Sequence, residues 1–331
     1  MKHIIFVLLL TLCLSGSALA ERETLFKGFN SKIVSIVDDM TDKKSGVIFL
    51  DFGPIYMAVY GSDDFLIWAN SDDLIFASDA AHLIRVGKNK PFTLTSLRKR
   101  EGLALANAVE ARSVIKSIAN GEEVKLRYHD WPRYDVSNIE LQNKNFGFVY
   151  HRAAKIFGWK DLGVPHELAP VKLDIHEFTG HSIKGHVQVR VKENRNLSLS
   201  KTLDKYGVGA TIDVGYTSGF GFQNGQWMWG SMSRKENNSL IIRDSDGNIV
   251  FKEALPSSYT DPVWPERIGS IQKWPVGKMA AMKAWEVAPL GSIEAESDLP
   301  AIYNDENRAL LYGFRELWKW GVDNAGFPPL E

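Results

Sequence analysis

Three histidines recur every five residues, at His176, His181 and His186. Three imidazoles close together can hold zinc. The spacing argues against it, because the helical zinc motif needs two histidines four residues apart and this stretch contains Gly180 and Gly185. On a continuous strand, steps of five residues send successive side chains to opposite faces. We therefore expect no metal site but surface histidines on a hairpin, whose turn near Gly180 would bring two of them together.

Two other stretches resemble known functional motifs, but each lacks residues that its motif requires. The stretch 180–185 is one residue away from a nucleophile elbow, but Lys184 stands where the second glycine belongs. The acidic and amide residues of 244–248 resemble a calcium loop, but Ile249 and Leu255 stand where that loop needs glycine and glutamate. We expect neither a serine hydrolase nor a calcium site, and we interpret 244–248 as a hairpin turn.

A polar and aromatic loop follows the strand predicted at 124–129, with the sequence His-Asp-Trp-Pro-Arg-Tyr-Asp at 129–135. His129 beside Asp130 suggests acid–base chemistry, but neighbouring residues of an extended chain point apart. Arg133 has the planar fork that binds a carboxylate through two hydrogen bonds. The pattern favours a Trp-Pro turn with a surface ion pair.

Glycines and large aromatic residues alternate between 215 and 230. Trp227 and Trp229 share one strand face, which makes that face strongly aromatic. Exposed rings of this kind can stack on sugars or anchor a protein partner, whereas the alternative is an aromatic core with glycines at bulges and bends. We predict a ligand-binding surface whose candidate residues are Tyr216, Phe220, Phe222, Trp227 and Trp229.

The chain has 40 acidic residues, and a glycosidase needs only two carboxyl groups about 5–10 Å apart. Sequence alone does not reveal such a pair. A carbohydrate-active hydrolase with a carboxylate pair therefore remains the alternative to a non-enzymatic binding protein.

Short β-rich runs separated by polar turns fill the first half of the chain, as in an antiparallel meander. The predicted strands are 32–38, 46–52, 56–60, 65–69, 74–77 and 124–129, with 83–86 and 92–94 as edge strands. Helical spacing predicts a helix over 103–120 closed by Gly121, and a second over 146–157 between Asn145 as N-cap and Gly158.

The second half also has β-rich patterns until its end. Residues 240–243 and 249–252 flank the predicted turn as a hairpin. Asn304 is the predicted N-cap of a final helix that extends to about Ala325, with Leu310, Phe314, Leu317 and Trp318 on one face. The fold class expected is mainly β (α+β): a sandwich-like antiparallel domain over 21–165, and a β-rich domain with a terminal helix over 166–331.

The first half resembles the invasion-associated locus B family of secreted bacterial proteins. The residues that carry the resemblance lie within 30–158: Asp-Asp-Met-Thr at 38–41, Leu-Ile-Arg-Val at 83–86, Ile-Lys-Ser-Ile-Ala-Asn-Gly at 115–121, Val-Lys-Leu-Arg-Tyr at 124–128 and Asn-Phe-Gly-Phe-Val-Tyr at 145–150. Cysteines often present in such proteins are missing here. The resemblance implies a β-sandwich-like exported domain with envelope or host-interaction roles, and it implies no catalytic residue.

Residues 1–20 have the pattern of a cleavable signal peptide. Lys2 precedes an apolar run over 4–14, and Ala-Leu-Ala at 18–20 predicts cleavage before Glu21. The run is too short to span a bilayer, so we expect no transmembrane segment after cleavage. Cys13 is the only cysteine, which leaves the mature chain without thiol nucleophiles or thiolate metal ligands.

A formal net charge of −1 gives no electrostatic footprint for nucleic acid. Taken together, these observations predict a periplasmic or secreted protein without a cofactor. Its expected role is non-enzymatic binding of a glycan, an envelope protein or a host protein through the aromatic surface.

Overall fold

The structure, a computed structural model, describes residues 20–38, 43–61, 63–69, 75–97, 102–105, 107–178, 186–204, 207–214, 218–223, 226–231, 239–254, 275–296 and 308–330. The chain divides into two compact units, Met1–Ala169 and Pro170–Glu331. The division lies four residues beyond the predicted boundary at 165. Each unit is described by itself.

One sheet of eleven antiparallel strands forms the framework of unit 1. Its strand order is β1-β2-β3-β4-β5-β9-β8-β7-β10-β11, with β6 paired to β10. The strands are β1 (Ala20–Gly28), β2 (Ser31–Asp38), β3 (Lys43–Asp51), β4 (Ile55–Val59), β5 (Phe65–Ala69), β6 (Ile75–Phe76), β7 (His82–Val86), β8 (Phe92–Ser96), β9 (Gly102–Ala104), β10 (Val124–Trp131) and β11 (Val136–Glu140).

The predicted strands of unit 1 are present, with ends that differ by a few residues. In β10, Val124, Leu126 and Tyr128 are buried while Lys125 and Arg127 are exposed, as the period of two requires. Strands β7 and β8 are internal, so their prediction as edge strands was wrong. The ends of the sheet are β1 and β11, which the sequence patterns did not predict.

The first helix, α1 (Ala108–Ala119), begins later than predicted. The Asn107 side chain caps it by accepting hydrogen bonds from the backbone N–H groups of Val109 and Glu110, at 2.9 and 3.4 Å. Residues 102–104 belong instead to β9, which pairs with both β5 and β8. The predicted start at Leu103 was therefore wrong, because long-range strand pairing overrides local helical spacing there.

The second helix, α2 (Phe146–Phe157), has the predicted limits. Gly158 ends it in the left-handed conformation, with φ of +67°. Asn145 occupies the N-cap position, but its side chain makes no capping hydrogen bond to the helix. Its Oδ1 instead accepts a hydrogen bond of 2.8 Å from the backbone N–H of Ala169, so the predicted N-cap position is confirmed but the side chain does not cap the helix.

Unit 2 contains two antiparallel sheets and two helices. The six-stranded sheet has the order β12-β13-β14-β15-β16-β17, and the four-stranded sheet has the order β19-β18-β20-β21. The elements are β12 (Leu173–Phe178), β13 (His186–Val191), β14 (Asn194–Asp204), β15 (Gly207–Val214), β16 (Ser218–Gln223), β17 (Gln226–Ser231), β18 (Ser239–Arg243), β19 (Ile249–Ala254), α3 (Pro275–Val287), β20 (Ser292–Glu296), β21 (Arg308–Leu310) and α4 (Phe314–Ala325).

Unit 2 matches some of the predictions for the second half of the chain and differs from others. The hairpin of β18 and β19 is confirmed. The final helix begins at Phe314 with Gly313 at its N-cap position, so its predicted start was wrong, and Leu310 lies in β21, which pairs with β20. Asn304 lies outside the described residues. Helix α3 was not predicted. The predicted fold class, mainly β with added helices, is confirmed.

Candidate functional site

The predicted aromatic residues fall on the last two strands of the six-stranded sheet. The register of β16 and β17 places Phe220 opposite Trp229 and Phe222 opposite Trp227. All four positions therefore share one face of the sheet at its β17 edge. Tyr216 lies outside the described residues.

The strand register also shows that these aromatic positions lie on the same face of the sheet as buried apolar residues. Phe220 is opposite Ile212, which is opposite Leu199, which is opposite Val189. The last three side chains are fully buried. Val191, on the same face, packs against Gly313 at the start of α4. The aromatic positions thus continue the apolar face that α4 covers, and their use as a ligand surface remains a prediction.

The opposite face of the same sheet carries a polar cluster centred on Asp213. The Ser200 hydroxyl donates a hydrogen bond to one carboxylate oxygen at 2.6 Å, and the Thr211 hydroxyl donates to the other at 3.1 Å. Burial raises the pKa of the Asp213 carboxyl, and the two hydroxyl donors and nearby His186 only partly oppose that effect. A carboxyl group with this environment is a candidate binding or acid–base group.

A glycosidase would need a second carboxyl group close to Asp213. Along the strand register, Asp174 lies three strands away from Asp213, which corresponds to about 14 Å. That separation exceeds the reach of both glycosidase mechanisms. The Ser200 hydroxyl donates its hydrogen bond to Asp213 and not to a histidine, so this serine does not have the arrangement of an activated nucleophile.

The histidine and calcium-like motifs have structural explanations. His176 and His186 lie on adjacent strands of one hairpin and on the same face, while His181 and the 180–185 motif lie outside the described residues. Among the described residues, no three His, Cys, Asp or Glu side chains are grouped to hold a metal ion. Asp244 accepts hydrogen bonds from the backbone of Asp246 and from both the backbone and the side chain of Asn248. These bonds close a turn, and the one from the Asn248 side chain is the main reason why the pKa of Asp244 is lowered.

The hairpin tip, defined as residues 130–135, comprises the last two residues of β10 and the turn that leads to β11, and it exposes large side chains of unit 1. Trp131 is 39% exposed and Tyr134 is 45% exposed, and Arg133 between them is also exposed. The Tyr134 N–H donates to the Asp130 carbonyl at 2.9 Å, which closes the tip. The predicted Trp-Pro turn thus begins at the last residue of β10 and leads into β11, a strand that was not predicted.

Tyr134 is held firmly in this tip. Its φ is +59°, a conformation that costs a non-glycine residue about 1–3 kcal/mol. Its hydroxyl lies 3.0 and 3.2 Å from the two carboxylate oxygens of Asp79, to which it donates. A strained residue that is fixed by a distant side chain is more common at functional sites than elsewhere.

Buried His82 fixes the base of the tip. Its Nε2 donates to the Ala77 carbonyl at 2.7 Å, and its Nδ1 accepts a hydrogen bond of 3.3 Å from the backbone N–H of His129. Burial lowers the pKa of His82 more than the hydrogen bond to Ala77 raises it, which favours the neutral ring that these two bonds require. Strand β10, which leads into the tip, is therefore held in place by its hydrogen bond to His82.

Comparison of the chain with protein-family models, with curated proteins and with solved structures gave no match. Among the described residues, no helix is long and apolar enough to cross a membrane.

Proposed function

We propose that this chain is an exported binding protein that contacts a protein partner through the hairpin tip. The observation that carries the proposal is the exposure of Trp131, Arg133 and Tyr134 within four consecutive positions. Tryptophan, tyrosine and arginine are the residue types most enriched among side chains that dominate binding energy at protein interfaces.

The anchoring of the tip supports the same role. A partner that binds a flexible loop must offset the entropy of ordering it, at about 0.5–1.5 kcal/mol per long side chain. In this hairpin the Tyr134 ring is already oriented by Asp79, and the strand below is held by His82. Binding to a fixed surface avoids much of that cost.

Export is proposed from the signal-peptide pattern at 1–20, which places the protein in the periplasm or outside the cell. The envelope and host-interaction roles implied by the resemblance of residues 30–158 favour a partner in those compartments. The net charge of −1 gives no reason to prefer nucleic acid.

The aromatic face of β16 and β17 is a second surface for the same binding function. Four aromatic residues occupy two directly opposed pairs of positions on β16 and β17. The ligand that we predict for this surface is a glycan or a protein. The candidate binding residues are those predicted from the sequence: Tyr216, Phe220, Phe222, Trp227 and Trp229. The same experiment distinguishes the two surfaces.

The test places a photo-crosslinking amino acid at Val136, an exposed residue beside the tip, in the chain 21–331. The same amino acid at Ile156, which is exposed on α2, serves as the control position. A protein crosslinked from Val136 alone is then purified and its Kd measured. We expect Trp131→Ala to weaken binding about 30-fold, the effect of a loss of about 2 kcal/mol.

Tyr56→Ala is the matched control, because Tyr56 is also 39% exposed but lies on β4. It should leave the Kd unchanged. Loss of binding in Trp227→Ala or Trp229→Ala, with Trp131→Ala unaffected, would transfer the function to the second surface. A glycan array run in parallel that gave Trp131-dependent binding, with no protein partner, would overturn the choice of a protein.

A further inference from the structure

We propose that His151 and His166 form a two-histidine binding site for a divalent transition-metal ion. The centroids of their imidazole rings are 4.7 Å apart, and the ring planes are inclined by 34°. Both side chains are exposed. The site belongs to unit 1 and is separate from the hairpin tip, so it goes beyond the binding function proposed above.

The ring separation matches what two ligands of one ion require. With a metal–nitrogen bond of about 2.1 Å and a further ~1.1 Å from nitrogen to ring centre, two rings at a 90° ligand angle have centroids about 4.5 Å apart. A tetrahedral ligand angle gives about 5.2 Å by the same geometry. The observed 4.7 Å lies between these two values.

His166 is held over α2 by close packing of its segment. A Cβ atom on Gly147 would collide with the carbonyl oxygen of Pro165, so the segment can approach the helix only at a glycine. Gly147 is one helical turn before His151 and lies on the same helix face. The residue after Pro165 is therefore placed above the His151 turn.

Both ends of the segment that carries His166, residues 160–169, are fixed as well. The Tyr150 hydroxyl donates a hydrogen bond of 2.8 Å to the carbonyl of Lys160, and the Ala169 N–H donates to Asn145. Between these two points Leu162 and Val164 are buried. The backbone that carries the two histidines is thus held in place before any ion arrives, which lowers the entropic cost of chelation.

The ligand type selects the class of ion. Imidazole nitrogen suits Cu²⁺, Ni²⁺ and Zn²⁺, whereas Mg²⁺ and Ca²⁺ prefer oxygen ligands. Among the described residues no third His, Cys, Asp or Glu joins the pair in a metal-binding group. The ion would therefore keep coordination positions open to water or to another ligand.

The test is isothermal titration of the untagged chain 21–331 with NiCl₂ and with ZnCl₂ at pH 7.5. We expect one equivalent to bind, and at least tenfold weaker binding in both His151→Ala and His166→Ala. His176→Ala, which removes an exposed histidine on β12, should leave the affinity unchanged. MgCl₂ should give no heat of binding at this site.

Electron paramagnetic resonance of the Cu²⁺-loaded protein gives a second readout that does not depend on affinity. Two imidazole nitrogens should couple to the copper in the natural chain, and one in each variant. Equal affinity for Ni²⁺ in His151→Ala and the natural chain would overturn the proposal. A copper spectrum that neither substitution alters would also overturn it. Circular dichroism of each exposed-histidine variant establishes that it is folded.

Discussion

Asp213 shows how a sheet can stabilise the protonated form of an acid. In the unfolded chain its carboxyl group has an ordinary pKa, whereas burial raises that pKa in the folded protein. The folded state therefore binds more protons than the unfolded state at pH values above the ordinary pKa. By linkage, the stability contributed by the protonated form is present at low pH and is lost as pH rises through the folded-state pKa.

The substitution Asp213→Asn should therefore stabilise unit 2 at pH 7. The amide oxygen can still accept a hydrogen bond from Ser200 or Thr211, but no buried charge has to form. We expect a gain on the order of 1 kcal/mol at pH 7 that shrinks towards pH 4. Native-state hydrogen exchange of β14 and β15 measures it, with Asp246→Asn in the exposed turn as control. A loss of stability at pH 7 would mean that the ionised carboxylate is required.

At the scale of elements, the contact between β3 and α2 depends on a missing side chain. Gly46 is buried in β3, and a Cβ atom there would overlap the ring of Phe157 at the end of α2. Overpacking of this kind typically costs about 1–3 kcal/mol. We expect Gly46→Ala to lower the free energy of unfolding of unit 1 by that amount, measured by hydrogen exchange of β3 and α2.

The double substitution Gly46→Ala with Phe157→Ala isolates the cause. If the ring is the obstacle, the glycine substitution should cost less when the ring is absent, which a double-mutant cycle detects as coupling. Lys44→Ala, at an exposed position of the same strand, is the control and should change little. An equal cost of Gly46→Ala with and without the ring would show that backbone effects dominate.

Local sequence patterns predicted the elements whose stabilising contacts are near in sequence. Helix α2 has its predicted limits because both signals are local: the apolar spacing lies within it and Gly158 directly follows it. Strand β9 and the start of α4 were predicted wrongly because each depends on pairing with distant strands. The tip residues were identified from the sequence, but their exposure depends on β11 and on Asp79, 55 residues from Tyr134.

At the scale of the whole molecule, the described strands separate into two self-contained sets. All described pairings of β1–β11 stay within the first unit, and those of β12–β21 stay within the second. Each unit also has its own buried apolar residues. Because a domain with its own sheets and core can fold alone, the two units are candidates for independent folding.

We therefore expect residues 21–169 to fold in isolation, with dispersed amide signals in NMR and one cooperative unfolding transition. The matched truncation 21–157 lacks residues 158–169. These residues include the buried Leu162 and Val164, and the last of them, Ala169, is hydrogen-bonded to Asn145. Loss of two buried aliphatic side chains should lower its stability by about 3–6 kcal/mol. A disordered 21–169 would show that this unit needs residues beyond 169. Equal stability of the two truncations would show that the segment does not belong to the core of the unit.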